Sequence, residues 1–116
     1  MRHKVAHRKL GRPTQHRLSL LRSLVTSLIL YGRVTSTEAK IKEVQKVAAK
    51  VVRLAKKNDL ASMRYLDSYL YSKDALYKLI KELAPKYTER PGGYTRTLPL
   101  SPRKGDGASM ILLEWV

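Results

Sequence analysis

Three things are scarce in this chain of 116 residues: cysteine, acidic residues and long apolar runs. Cysteine is absent, so there is no disulfide framework and no thiolate-based zinc site. Nucleophiles for covalent chemistry narrow to hydroxyls. A chain without disulfides is compatible with a reducing cytoplasm. Asp plus Glu number only nine against 24 Lys plus Arg, and the first carboxylate is Glu38. These nine are spread singly, with no Asp-x-Asp or His-Glu-x-x-His pairing that would hold a metal. Gly-x-Gly-x-x-Gly and phosphate-loop motifs are also missing. The longest apolar run, residues 18–30, is broken by Arg22 and four hydroxyl residues. It is too short and polar to span a bilayer, and no small-residue cleavage site follows it as in an export signal. The sequence thus excludes a recognisable catalytic, metal or cofactor site, and no membrane span or small-molecule substrate is expected.

What remains is positive charge. The formal net charge is +15 and the isoelectric point near 10.3. That much like charge destabilises a small compact body by self-repulsion unless a polyanion neutralises it. The expected partners are nucleic acid first and an anionic membrane second. Residues 1–22 carry the greatest density: Arg2, Lys4, Arg8, Lys9, Arg12, Arg17 and Arg22, with His3, His7 and His16 among them. Residues 1–13 have few apolar side chains and no helical or strand period. They cannot bury enough surface to offset the entropy of ordering. They read either as a nucleic-acid arm or as a solvated basic terminus. His side chains in this company contact phosphate or stack more readily than they bind metal.

Residues 14–116 read as one domain. Thr14 is placed to cap a helix bearing Leu18, Leu21, Val25, Leu28 and Ile29 on one face, with Gly32 to end it. Arg33–Thr35 is a short strand candidate. Thr35 and Glu38 have capping-box spacing, with Ser36 as an alternative cap. The helix that follows runs to about Lys57 on a stripe of Ile41, Val44, Val47, Ala48, Val51, Leu54 and Ala55. Lys42, Lys46, Lys50, Arg53 and Lys57 recur every three or four residues and share a face roughly opposite that stripe. The face reads either as a ridge along a phosphate backbone or as an ordinary solvated surface. The apolar stripe has no Trp or Phe anchor for a membrane and suits a protein core better.

Asn58 and Asp59 separate this helix from a third, about 60–70, carrying Leu60, Met63, Leu66 and Leu70. Ser72 caps a fourth with Leu76, Leu79, Ile80 and Leu83, which Pro85 is expected to terminate. Tyr65, Tyr69, Tyr71 and Tyr77 cluster here; at helical spacing they read as half-buried packing residues or as base-stacking aromatics. Pro91-Gly92-Gly93 is a turn flanked by Arg90 and Arg96, where glycine lets backbone N–H groups approach a phosphate, or simply turns the chain. A Tyr- and Thr-rich strand over 94–98 follows. Arg103 and Lys104 lie on the next loop, and residues 108–116 form a last strand. The order of elements is α+β: a small sheet covered by about four helices, with a basic arm projecting.

Two motifs carry a family resemblance. Met1-Arg2-His3, Lys9-Leu10-Gly11-Arg12 and His16-Arg17 resemble the start of the bacterial large-subunit ribosomal protein L17 family. Arg90-Pro91-Gly92-Gly93-Tyr94-Thr95-Arg96 resembles that family's Arg-x-Gly-Gly-Tyr-Thr-Arg signature, with Pro91 where many relatives carry Ala. The resemblance implies a two-layer α/β fold with a three-stranded mixed sheet. It also implies a cytoplasmic, ribosomal role: binding large-subunit rRNA and neighbouring ribosomal proteins near the mouth of the peptide exit tunnel. A DNA-compacting protein explains the charge equally well but not the motifs; a basic membrane-binding protein and an RNA-modifying enzyme are weaker alternatives.

Overall fold

The computed structural model describes Arg8 and residues 10–116. The expectations placed on Arg2, His3, Lys4, His7 and Lys9 lie outside the described residues.

Helix α1, Thr14–Tyr31, buries Leu21, Val25, Leu28 and Ile29 on one side, while Leu18 stays 49 % exposed. Gly32 ends it at φ 82°, in the left-handed region, with its N–H bonded to the Leu28 carbonyl at 2.9 Å. The expected Thr14 cap is not formed. Pro13 is the residue before the first turn, no side chain caps it, and the Pro13 carbonyl accepts the Arg17 N–H at 2.9 Å. Thr14 already has helical geometry and so cannot supply a preceding oxygen.

Strand β1, Arg33–Thr37, is longer than its sequence implied and runs directly into helix α2, Glu38–Lys57. The capping box between Thr35 and Glu38 is therefore absent. Residues 35–37 are held in the sheet ladder, and the Glu38 N–H goes instead to the Ser109 carbonyl at 3.0 Å. At the other end Asn58 turns left-handed at φ 53°. Asp59 then caps helix α3, Leu60–Tyr69, by accepting from the Ser62 N–H at 2.7 Å. Ser72 likewise caps helix α4, accepting from Asp74 and Ala75. Pro85 does not terminate α4. The helix begins as Lys73–Lys78, widens into a π turn over Leu79–Leu83, and closes with Ala84–Lys86. Proline lacks an N–H and crowds the carbonyl four residues back. The widened turn, in which Ala84 N–H reaches Leu79 O, lets the chain pass.

Strands β2, Thr95–Pro99, and β3, Met110–Trp115, complete a sheet in the order β1-β3-β2. Both pairings are antiparallel, which corrects the expected mixed sheet. β1 and β2 point the same way, but β3 lies between them, so no parallel ladder forms. Pro99 is the last residue of an outer strand, where its missing donor is tolerated. The helices cover one face of the sheet. Their contact buries Leu28, Ile29, Ile41, Val44, Leu66, Leu79 and Leu113 almost completely. Trp115 tethers the layers by donating from its indole N–H to the Leu28 carbonyl at 3.0 Å. The arrangement is α+β in two layers. None of the helices described is long and apolar enough to cross a membrane.

Candidate nucleic-acid interface

The five cations spaced along α2 all reach solvent on one face, as the helical period requires. Their charges are not equally free. Lys42 pairs with Glu38 at 2.8 Å, and Lys46 pairs with Glu43 at 3.2 Å. The Glu38 carboxyl sits below its usual range, chiefly through the Lys42 hydrogen bond and charge, with a smaller pull from Arg8. Arg8, Lys42 and Lys46 line one shallow depression, so the described end of the arm lies over the start of α2. Further along, Lys50, Arg53 and Lys57 make no ion pair among the described residues, and Lys57 alone of the three acts on a carboxylate, that of Asp59. Compensation therefore fades toward the C-terminal half of the ridge.

That half faces the glycine turn. Lys46, Lys50 and Arg53 line a groove of about 350 Å³ with Pro91, Gly92 and Tyr94. Two features separated by some forty residues in sequence thus form one basic concavity. Lys56, unremarked in the sequence, fastens them together. Its ammonium donates to the Arg90 carbonyl at 2.6 Å and to the Tyr94 hydroxyl at 3.1 Å. No local pattern marks Lys56, since its partners lie 34 and 38 residues away. Tyr94 itself is buried, its ring 5.3 Å from that of Tyr87, so it supports the turn from beneath rather than presenting a stacking face. Arg90 is exposed and donates to the Gly92 carbonyl at 3.2 Å, shaping the turn. Gly93 takes φ 63°.

Several of the other candidate cations are engaged within the protein. Arg17 is buried in the body. Arg22 donates to the carbonyls of Tyr69 at 2.7 Å and Ser68 at 2.8 Å, tying α1 to the end of α3. Arg96 pairs with Glu114 across the β2–β3 ladder at 2.7 Å. Arg103 makes a two-pronged pair with Asp106, whose carboxyl is lowered to about 2 mainly by that bond. Lys104 and His16 are exposed, and Arg12 turns back to the Leu10 carbonyl at 2.7 Å. Leu10 packs on the core and anchors the base of the arm. No group of three or more His, Asp or Glu that would hold a metal occurs among the described residues.

Lys50 and Arg53, which make no ion pair among the described residues, line a groove whose far wall includes glycine backbone, an arrangement that suits a phosphate backbone. The family described as Ribosomal protein L17 matches residues 20–116. A Desulfitobacterium hafniense protein named Large ribosomal subunit protein bL17 is 50% identical over 112 residues, 97% of this chain and 100% of its own length. A Thermoanaerobacter protein of the same name is 46% identical over 112 residues, with the same coverage. One from Carboxydothermus hydrogenoformans is 49% identical over 108 residues, 93% of this chain and 96% of its own.

Proposed function

Because the chain belongs to the bacterial ribosomal protein L17 family, we propose that it is a structural constituent of the large ribosomal subunit that works by binding rRNA. The role is binding rather than catalysis. The observation that carries the reading is the groove where Lys50 and Arg53 meet the Gly92 turn. Phosphates lying there would meet uncompensated charge and close-approaching backbone together. The arm, residues 1–13, enters RNA clefts, and the body docks through the ridge. Lys104 and His16 add outlying contacts. Specificity comes from RNA shape, since no base-reading pattern is present. Its site in the subunit is near the mouth of the peptide exit tunnel, beside other ribosomal proteins, and its location is that of the cytoplasmic ribosome.

The test is affinity for large-subunit rRNA over a range of salt. If Z phosphates are neutralised, log K falls against log salt with a slope of about −0.7Z to −0.9Z. A variant lacking residues 1–13 retains the native circular dichroism spectrum, binds much more weakly, and shows a shallower slope. Equal binding by the truncated protein would remove the arm from the mechanism.

A further inference from the structure

An aromatic and cationic stack stands next to the groove and is not used by the phosphate contacts just described. Tyr65 and Tyr69, one helical turn apart on α3, lie nearly parallel, with centroids 5.9 Å apart and planes 14° from one another. The Arg22 guanidinium sits 5.3 Å from the Tyr69 centroid and 4.5 Å from that of Tyr71. Its two hydrogen bonds to the carbonyls of Ser68 and Tyr69 hold it there. The stack is therefore built from within and fixed in place. Tyr69, inside it, is half-buried, whereas Tyr65 at its end is 43% exposed. A packing role accounts for Tyr69, whereas Tyr65 remains partly open to solvent at the end of the stack.

Tyr65 also adjoins the ridge. The Lys50 ammonium, which lines the groove, lies 5.7 Å from its ring centroid. That exposed cation–π contact is weaker than the stacking of a base on tyrosine. A lysine on a flexible stem can leave the ring for a phosphate one nucleotide away. The geometry points to Tyr65 as a stacking platform for an unpaired nucleobase of an RNA whose backbone follows Lys50 and Arg53. This rests on the RNA-binding reading and makes it more specific: the ligand is RNA with an extruded base beside a structured backbone, not a uniform duplex.

The full-length protein is titrated by fluorescence anisotropy with a short RNA duplex bearing one bulged adenine, and with its fully paired counterpart. Wild type binds the bulged RNA more tightly. Tyr65→Leu, which keeps an apolar group on Tyr69, loses that preference and weakens bulged-RNA binding by about 5- to 150-fold, the range for one stacked base. The salt slope stays unchanged, because no phosphate contact is lost. Tyr65→Trp restores the preference. Lys50→Gln does the opposite, lowering the slope on both RNAs. Circular dichroism checks that each variant is folded. If Tyr65→Leu binds the bulged RNA as wild type does, or wild type does not distinguish the two, the platform is overturned while the RNA reading stands. If wild type binds neither RNA even at low salt, the RNA reading falls, and the platform with it.

Discussion

Gly92 and Gly93 are neighbours with different duties. Only Gly93 has a positive φ, and neither position has an atom within 4 Å of where a Cβ would stand. The need for glycine at residue 93 is thus conformational rather than steric. Gly93→Ala is expected to cost about 1 to 2 kcal/mol, the penalty for a side chain in the left-handed region, whereas Gly92→Ala leaves stability nearly unchanged. Urea unfolding of both variants measures the difference. The same scale explains which site residues could be read in advance. The ridge was legible because helical period alone sets its face. The inward destinations of Arg22 and Tyr94 were not. Arg22 bonds residues 46 and 47 positions away, and Tyr94 lies under Lys56, 38 positions back. No spacing rule carries that information.

Local chemistry decided the ends of elements wherever one side chain faced one backbone group. Gly32, Asp59 and Ser72 act as their types imply. The Asp59 carboxyl is held below its ordinary range chiefly by the Ser62 backbone N–H. Asp59→Ala is expected to destabilise the domain by about 1 kcal/mol, with Asp59→Asn recovering most of it, as followed by thermal melting. Sequence reading failed where tertiary pairing competed. Thr35 lost its cap to the β1–β3 ladder, and α4 passed Pro85 by widening a turn. Strand direction was equally out of reach. The element order contains all three strands, but which of them lies in the middle depends on packing against α2 and α1.

Across the whole molecule, titration connects the aromatic stack to stability. The Tyr69 hydroxyl is pushed up to about 12 from an ordinary value of 10, first by burial and then by the Tyr65 charge. Its folded-state value is the higher one, so the neutral form is favoured by folding. The stabilisation is complete below about pH 10 and is lost as pH rises from 10 to 12. The melting temperature should fall through that window, and Tyr69→Phe should remove this component of the fall. Asp106 behaves oppositely. Its carboxyl is depressed to about 2, so the loop it closes with Arg103 is held at neutral pH and released as pH drops from about 4 toward 2.

The strand order also sets a timetable. Neither outer strand touches the other; each pairs only with β3, residues 110–115, the last element in sequence. A nascent chain can wind its helices as they emerge, but no two strands have a partner until those residues are made. Until then the side of α1 and α2 that Leu113 and Trp115 will cover stays open. Synthesis of a single six-residue segment therefore separates an open layer of helices from a covered one.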